Sequence, residues 1–250
     1  MTRPRLSGNR LKAFEHLTSD ENRILVIGDL HCPFDHKDAL KHALDTKAKY
    51  NCSRVVFIGD LIDSHASSRH ESCHNGMSAG DELKEAIKSV QKWYKAFGEK
   101  GTTIITGNHD RIVARKAFSG GIPREWIKSY NEVLGTPNWT WTERLVLDGM
   151  QFVHGEGGTA RSKAKNDLMT TIQGHIHTQM YVEHFSGVNS NIWACQVGCL
   201  INRESYAYHY AKNFKRQALG VAVIIGNHTC INVPMELGKK RIPTQKATVL

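Results

Sequence analysis

The chain is predicted to be an α/β fold built on strands that run mainly parallel. Two observations predict it. Arg23 to Ile27 and Arg54 to Ile58 are short apolar runs on either side of a segment with helical spacing, and strand, helix, strand in that order marks a sheet covered on both faces. Five apolar runs also end in polar motifs that resemble one another. They are Gly28-Asp29-Leu30-His31, Gly59-Asp60-Leu61-Ile62-Asp63, Gly107-Asn108-His109-Asp110, His154-Gly155-Glu156 and Gly174-His175-Ile176-His177. In an open α/β sheet, the crevice beyond the carboxyl ends of the strands is where ligands gather.

Taken in order, residues 1 to about 20 lack periodicity and read as an arm or short helix. After the first strand, Ala39, Leu40, Ala43, Leu44 and Ala48 give helical spacing from His36 to Lys49. Ser64 to Gly76 is a polar loop. Ser78 to Phe97 is the clearest helix, with an apolar stripe of Leu83, Ala86, Ile87, Val90, Tyr94 and Phe97, a cap at Ser78 with Asp81, and Gly98 at its end. Thr102 to Thr106 is a third strand, Arg111 to Phe118 a short helix, and Glu125 to Leu134 another. Strands follow at Trp139 to Leu147, Met150 to Val153, Leu168 to Ile172, Met180 to Phe185, Ile192 to Val197 and Leu219 to Ile225. Residues 1 to 235 form a single domain on this reading, and 236 to 250 a mobile basic tail.

A chain of 250 residues buries one core without needing division. No apolar run reaches the length of a membrane span, and the basic start lacks the apolar core of a secretory signal. The expected location is the cytoplasm, or a host's cytoplasm if the source is viral, with no membrane partner. The six cysteines show no dense framework and are expected to be free thiols. Cys195 and Cys199 are a weak metal hint against that background. The net charge of +9 is concentrated toward the chain ends and favours a polyanion such as nucleic acid as partner, though a solvated basic surface explains it equally well.

The strand-end residues carry the chemistry. Imidazole nitrogen and carboxylate oxygen suit manganese, zinc, iron or nickel better than calcium. The candidates outnumber the ligands of one four-coordinate ion, so two ions are the simplest account, and a carboxylate has two oxygens with which to bridge them. Singly, each residue has a plainer reading: Asp29 as a helix cap, His154 as a satisfied polar group.

Together, the ordered motifs resemble the calcineurin-like metallophosphoesterase superfamily, from Gly28 to His177. That resemblance implies a four-layer α/β/β/α sandwich of mixed sheets with its active site at the strand ends. It implies one metal held by Asp29, His31, Asp60 and His177, and a second held by the same Asp60 with Asn108, His154 and His175. His109 would be the catalytic acid at the leaving group, with Asp63 orienting it. Manganese is the first choice of cofactor, with zinc, iron, nickel or magnesium as alternatives. Two such ions would supply a nucleophile from water at neutral pH and charge stabilisation for the phosphoryl oxygens. Asp63 is followed by Ser64-His65, and Asp110 closes the third motif, which departs from the protein-phosphatase branch. The pattern is closer to the phosphodiesterase and DNA-repair exonuclease branches and, more loosely, to small phage-encoded phosphoesterases. A phosphodiesterase acting on nucleic acid or nucleotides is therefore expected; a phosphomonoesterase with the same site, or a non-catalytic metal-binding scaffold, are the alternatives. Arg69 and Arg111 are candidate substrate-phosphate ligands. Trp126, Trp139, Trp141 and Trp193 are either base-stacking surfaces or, for most of them, core.

Overall fold

The computed structural model describes residues 23–68, 76–98, 101–188, 190–205 and 216–237. The N-terminal arm, Arg69 and nearly all of the basic tail lie outside the described residues. In chain order the elements are β1 (Arg23–Ile27), α1 (Ala39–Tyr50), β2 (Arg54–Phe57), α2 (Ala79–Phe97), β3 (Thr103–Ile105), α3 (Ile112–Ser119), α4 (Tyr130–Leu134), β4 (Thr140–Thr142), β5 (Arg144–Leu147), β6 (Met150–Val153), α5 (Ala160–Asp167), β7 (Thr170–Gln173), β8 (Tyr181–Ser186), β9 (Asn191–Gln196), β10 (Gly220–Ile225) and β11 (Thr229–Pro234).

The strands form two mixed sheets, one of six in the order β11-β10-β1-β2-β3-β4 and one of five in the order β5-β6-β7-β9-β8. In the first, β1 to β4 are mutually parallel and β10 runs antiparallel beside β1. In the second, β6, β7 and β9 are parallel, flanked by antiparallel β5 and β8.

Strand alternation sorts the apolar side chains into layers. Leu25 and Ile27 of β1 join Val90, Trp93 and Phe97 of α2 and Ala39 and Ala43 of α1 in one core. Ile24 and Val26 of the same strand face Phe152, Ile172 and Cys195 of the second sheet in another. Ala160 and Ala164 of α5 pack on Ala194 at the far side of that sheet. The result is a helix, sheet, sheet, helix sandwich, as the resemblance implied, with all parallel strands delivering their carboxyl ends to one edge.

Several elements differ from the sequence expectation. The buried face of α2 is Glu82, Ala86, Ser89, Val90, Trp93 and Phe97, rotated away from Leu83. Polar residues occupy it because each has a partner: Glu82 accepts from the backbone N–H groups of His65 and Ala66, and Ser89 and Trp93 donate to the Asp35 carboxylate. Glu125 to Leu134 is not one helix. A 3₁₀ turn covers Arg124–Trp126, and Ser129 with Glu132 forms a reciprocal cap that starts α4 afresh. The run Trp139 to Leu147 divides at Glu143, so β4 closes the first sheet and β5 opens the second. Helix α5 and strand β11 have no counterpart in the sequence expectation: α5 buries only two alanines, and β11 is only half-buried. Among the described residues the cysteines are free, and no helix is long and apolar enough to cross a membrane.

Candidate metal centre

The loops after β1 and β2 are laced together by their backbones. His31 N–H donates to Asp60 C=O at 2.9 Å, Cys32 N–H to Leu61 C=O at 2.9 Å, and Asp63 N–H to Cys32 C=O at 3.1 Å. Asp29, His31, Asp60 and His175 all sit at positive φ, at 36, 51, 49 and 69°. Such a backbone costs a non-glycine residue about 1–3 kcal/mol and persists at functional sites where the surroundings over-determine it. Two glycines make room. A Cβ on Gly59, itself at φ 104°, would run into the His154 ring, and one on Gly107 into the Asp60 carboxylate.

Two donor groups result. Asp29, His31, Asp60 and His177 each offer a ligand atom, all within 4.8 Å of one another, and Asp60, His154 and His175 do the same. Asp60 belongs to both. Its Oδ2 lies 3.1 Å from His154 Nε2 and 3.6 Å from His31 Nε2. Asn108 Oδ1 is 2.9 Å from His154 Nε2.

The outer hydrogen bonds decide which ring nitrogen faces inward. His154 Nδ1–H donates to the Ile58 carbonyl at 3.0 Å, which turns Nε2 toward Asp60. His31 Nδ1–H donates to Asp63 Oδ1 at 2.6 Å, which turns its Nε2 toward His177. A third group, His31, Asp63 and His109, adjoins these. His109 Nδ1–H donates to the Asp63 backbone carbonyl at 2.7 Å, with the Asp63 carboxylate at 3.2 Å, so its Nε2 points away from Asp63.

Burial and mutual charge set the protonation pattern. Burial would raise Asp60, but the His154, His109 and His31 imidazoles outweigh it and hold the carboxyl well below its usual range. Burial likewise raises Asp63, and hydrogen bonds from His109 and His31 more than reverse that. Burial lowers His109 and His154, yet Asp60 with Asp63 lifts His109 to about 10, and Asp60 with Asp29 lifts His154 to about 9. Burial takes Asp29 to about 7 and, with the charge of Asp60, Asp110 to about 6. Burial and the neighbouring imidazoles push His175 down to about 4 and His177 well below its ordinary value.

This donor set fits divalent ions. His31 Nε2 and His177 Nε2 face each other at 3.1 Å, and His154 Nε2 and His175 Nδ1 at 3.2 Å. Paired nitrogens aimed at one another beside ionised Asp60 are nitrogen and oxygen donors converging where positive charge is favoured.

A family model described as calcineurin-like phosphoesterase matches residues 22–229. The chain belongs to the calcineurin-like phosphoesterase family. It is a hydrolase of phosphoester bonds, and the family uses divalent metals. The Gene 54 protein of Mycobacterium phage D29 is 24% identical over 236 residues, covering 82% of this chain and 90% of that protein. The Gene 54 protein of Mycobacterium phage L5 is 25% identical over 216 residues, covering 74% and 82%. Among solved structures, a dimetal phosphatase from Danio rerio aligns with TM-score 0.45 and 11% identity over 86% of this chain and 99% of that one. The phosphoesterase Yfce from E. coli aligns with TM-score 0.39 and 10% identity over 80% and 87%.

In this calcineurin-like phosphoesterase, the seven residues expected to bind metal come together at one edge of the sandwich, with His109 and Asp63 beside them. Arg111, which follows the third motif, pairs with Glu156, which follows His154-Gly155. Cys195 and Cys199 are both buried, and neither enters a donor group among the described residues. Sequence reasoning passes over four supporting residues. Asp110 accepts from Ile62 N–H at 3.1 Å and Gly107 N–H at 2.8 Å, tying the second motif to the third. Glu82 holds the turn after Asp63. Gln173 donates to the carbonyls of Gly155 and Gly158, and Gln196 to that of Gly174, which fixes the loops bearing His154 and His175. The only sequence signal for Asp110 is its place beside His109; the glutamines carry none beyond ending a strand.

Proposed function

We propose that this phosphoesterase hydrolyses phosphodiester bonds of nucleic acid or nucleotides, using two divalent ions with manganese the first choice. The carrying observation is that Asp60 is common to two separate donor groups. On this reading Asp29, His31, Asp60 and His177 hold one ion, and Asp60, Asn108, His154 and His175 the other. Bound divalent ions supply Lewis acidity toward the phosphoryl oxygens and a nucleophile from water at neutral pH.

The chain's own groups then do the following. Asp60 and Asp63 raise His109 above its ordinary value, which favours the imidazolium. With Nδ1–H given to Asp63, Nε2–H is the proton available to a leaving oxygen. Asp63 fixes the rings of both His31 and His109, so metal ligation and proton donation share one support.

A diester is favoured over a monoester for two reasons. Arg111, next to the third motif, is already neutralised by Glu156, which leaves less positive charge for a dianion. The net charge of +9 favours a polyanionic substrate. The test is turnover of bis-p-nitrophenyl phosphate against p-nitrophenyl phosphate with added manganese. Faster turnover of the diester is expected. Preference for the monoester would overturn the diester assignment, and turnover of neither ester nor of DNA and RNA oligonucleotides would favour a metal-binding scaffold.

A further inference from the structure

Immediately after His109 and Asp110 the chain leaves the sandwich and returns at Tyr130. Both ends of this excursion are pinned to the same loop: Ile112 N–H donates to His109 C=O at 3.1 Å, and Tyr130 Oη–H to Asp110 C=O at 3.2 Å. What lies between is unusual for a folded segment. Helix α3 buries none of its residues, and residues 118–126 are all exposed. Of the four candidate stacking tryptophans, Trp139 and Trp193 are core and Trp141 is half-buried, but Trp126 is 83% exposed. Phe118 is 50% exposed, and Ile122 lies between them.

The charge around these aromatics is mainly positive. Residues 111–128 contain Arg111, Arg115, Lys116, Arg124 and Lys128 against the single acid Glu125. The Arg115 side chain has no ion-pair partner among the described residues. Arg124 spends one N–H on the Ile127 carbonyl, at 2.6 Å, and Lys116 reaches the Ser68 carbonyl at 3.4 Å. A face meant for another protein would tend to be depleted of lysine around its aromatics. Exposed aromatic rings set among cations are instead what a nucleic-acid strand uses, bases stacking on the rings while phosphates meet the charges. A duplex keeps its bases stacked on each other and offers none to Trp126.

We propose that residues 112–128 form a docking platform for single-stranded nucleic acid that leads the strand to His109. Trp126 and Phe118 stack bases; Arg115, Lys116, Arg124 and Lys128 take phosphates. The platform rests on the phosphodiesterase reading for its destination, but it is tested by binding alone.

The full chain is titrated against a labelled oligothymidylate of about 20 nucleotides by fluorescence anisotropy, in EDTA so that nothing is cleaved. W126A/F118A is expected to weaken binding about tenfold or more. R115Q/K116Q is expected to lower the slope of log K against log salt by about 1.4, at about 0.7 for each phosphate no longer neutralised. All four side chains are exposed and lie outside the donor groups, so hydrolysis of bis-p-nitrophenyl phosphate should be unchanged in both variants. W126A/F118A should have little effect on the weaker binding of a duplex. Unchanged oligothymidylate affinity in both variants would overturn the platform even if the diester is still hydrolysed. Loss of a dimer on gel filtration, with oligonucleotide affinity intact, would also overturn it and name a second copy as the occupant. Weakened binding without diester turnover would keep the platform and discard the phosphodiesterase reading.

Discussion

The two sheets contribute unlike chemistry to the same edge. The buried aspartates of the site, Asp29, Asp60, Asp63 and Asp110, all hang from the first sheet. The loops of the second sheet add only nitrogen to the donor groups, from His154, His175 and His177. Neither half is comfortable alone. Asp60 is held ionised by His154 from across the interface, and His154 is kept charged by Asp60. The centre is therefore an electrostatic seam between two sheets whose apolar faces bring it together.

The severest way to break this seam is D60N, which touches both donor groups at once. Metal analysis should find both ions lost, and turnover should fall by about 10⁴ or more, since metal-ion catalysis is worth several kcal/mol at about 1.36 kcal/mol per decade. H177A, which enters one group only, should lose one ion and keep the other; losing both would mean the groups are not separable. H109A should slow turnover by about 10²–10⁴ while both ions remain bound. If that variant lost its ions instead, the proton-donor role would be wrong.

Acidity probes the seam without mutation. His154 and His109 have folded values near 9 and 10, above their ordinary 6.5. Their stabilising contribution is fully present below about pH 6.5 and is lost as pH rises through 9 to 10. Asp29, raised to about 7, has the same sign over a lower window, from about 3.8 to 7. Asp60 and Asp63 are depressed, so their contribution is present above about pH 3.8 and disappears as pH falls. The Tm of chelated protein should therefore decline from about pH 6.5 to pH 10, and saturating manganese should flatten that decline by replacing the protons. A flat profile in chelator would show that the charges of the two sheets do not speak to each other. The smallest effect expected is from D110N. An amide can accept from only one of Ile62 N–H and Gly107 N–H, so urea denaturation should show about 1–3 kcal/mol lost, with the ions still bound.

What can be read from sequence follows the same division. Short β-branched runs ending in Gly-Asp or Gly-Asn announce β1, β2 and β3 and the ligands they carry, because period and punctuation are local signals. The second sheet is harder. Trp139 to Leu147 looks continuous because nothing at Glu143 announces a change of sheet; the break exists only because the two halves pair with different neighbours. Helix α5 is polar apart from two alanines, and its placement comes from Gln196 accepting Ala160 N–H, a contact 36 positions apart. Asp63 reads as a partner for His109 alone. Its bond to His31 depends on the loops after β1 and β2 being laced side by side, which no spacing in the sequence expresses.

The place of β10 has a consequence for how the molecule is made. It lies antiparallel against β1, joining Arg23–Ile27 to Gly220–Ile225 across most of the chain. Contacts of such long sequence separation form late, after the cost of closing a large loop has been met. During synthesis β1 gains this partner only after residues 220–225 have been made, well after every motif of the site.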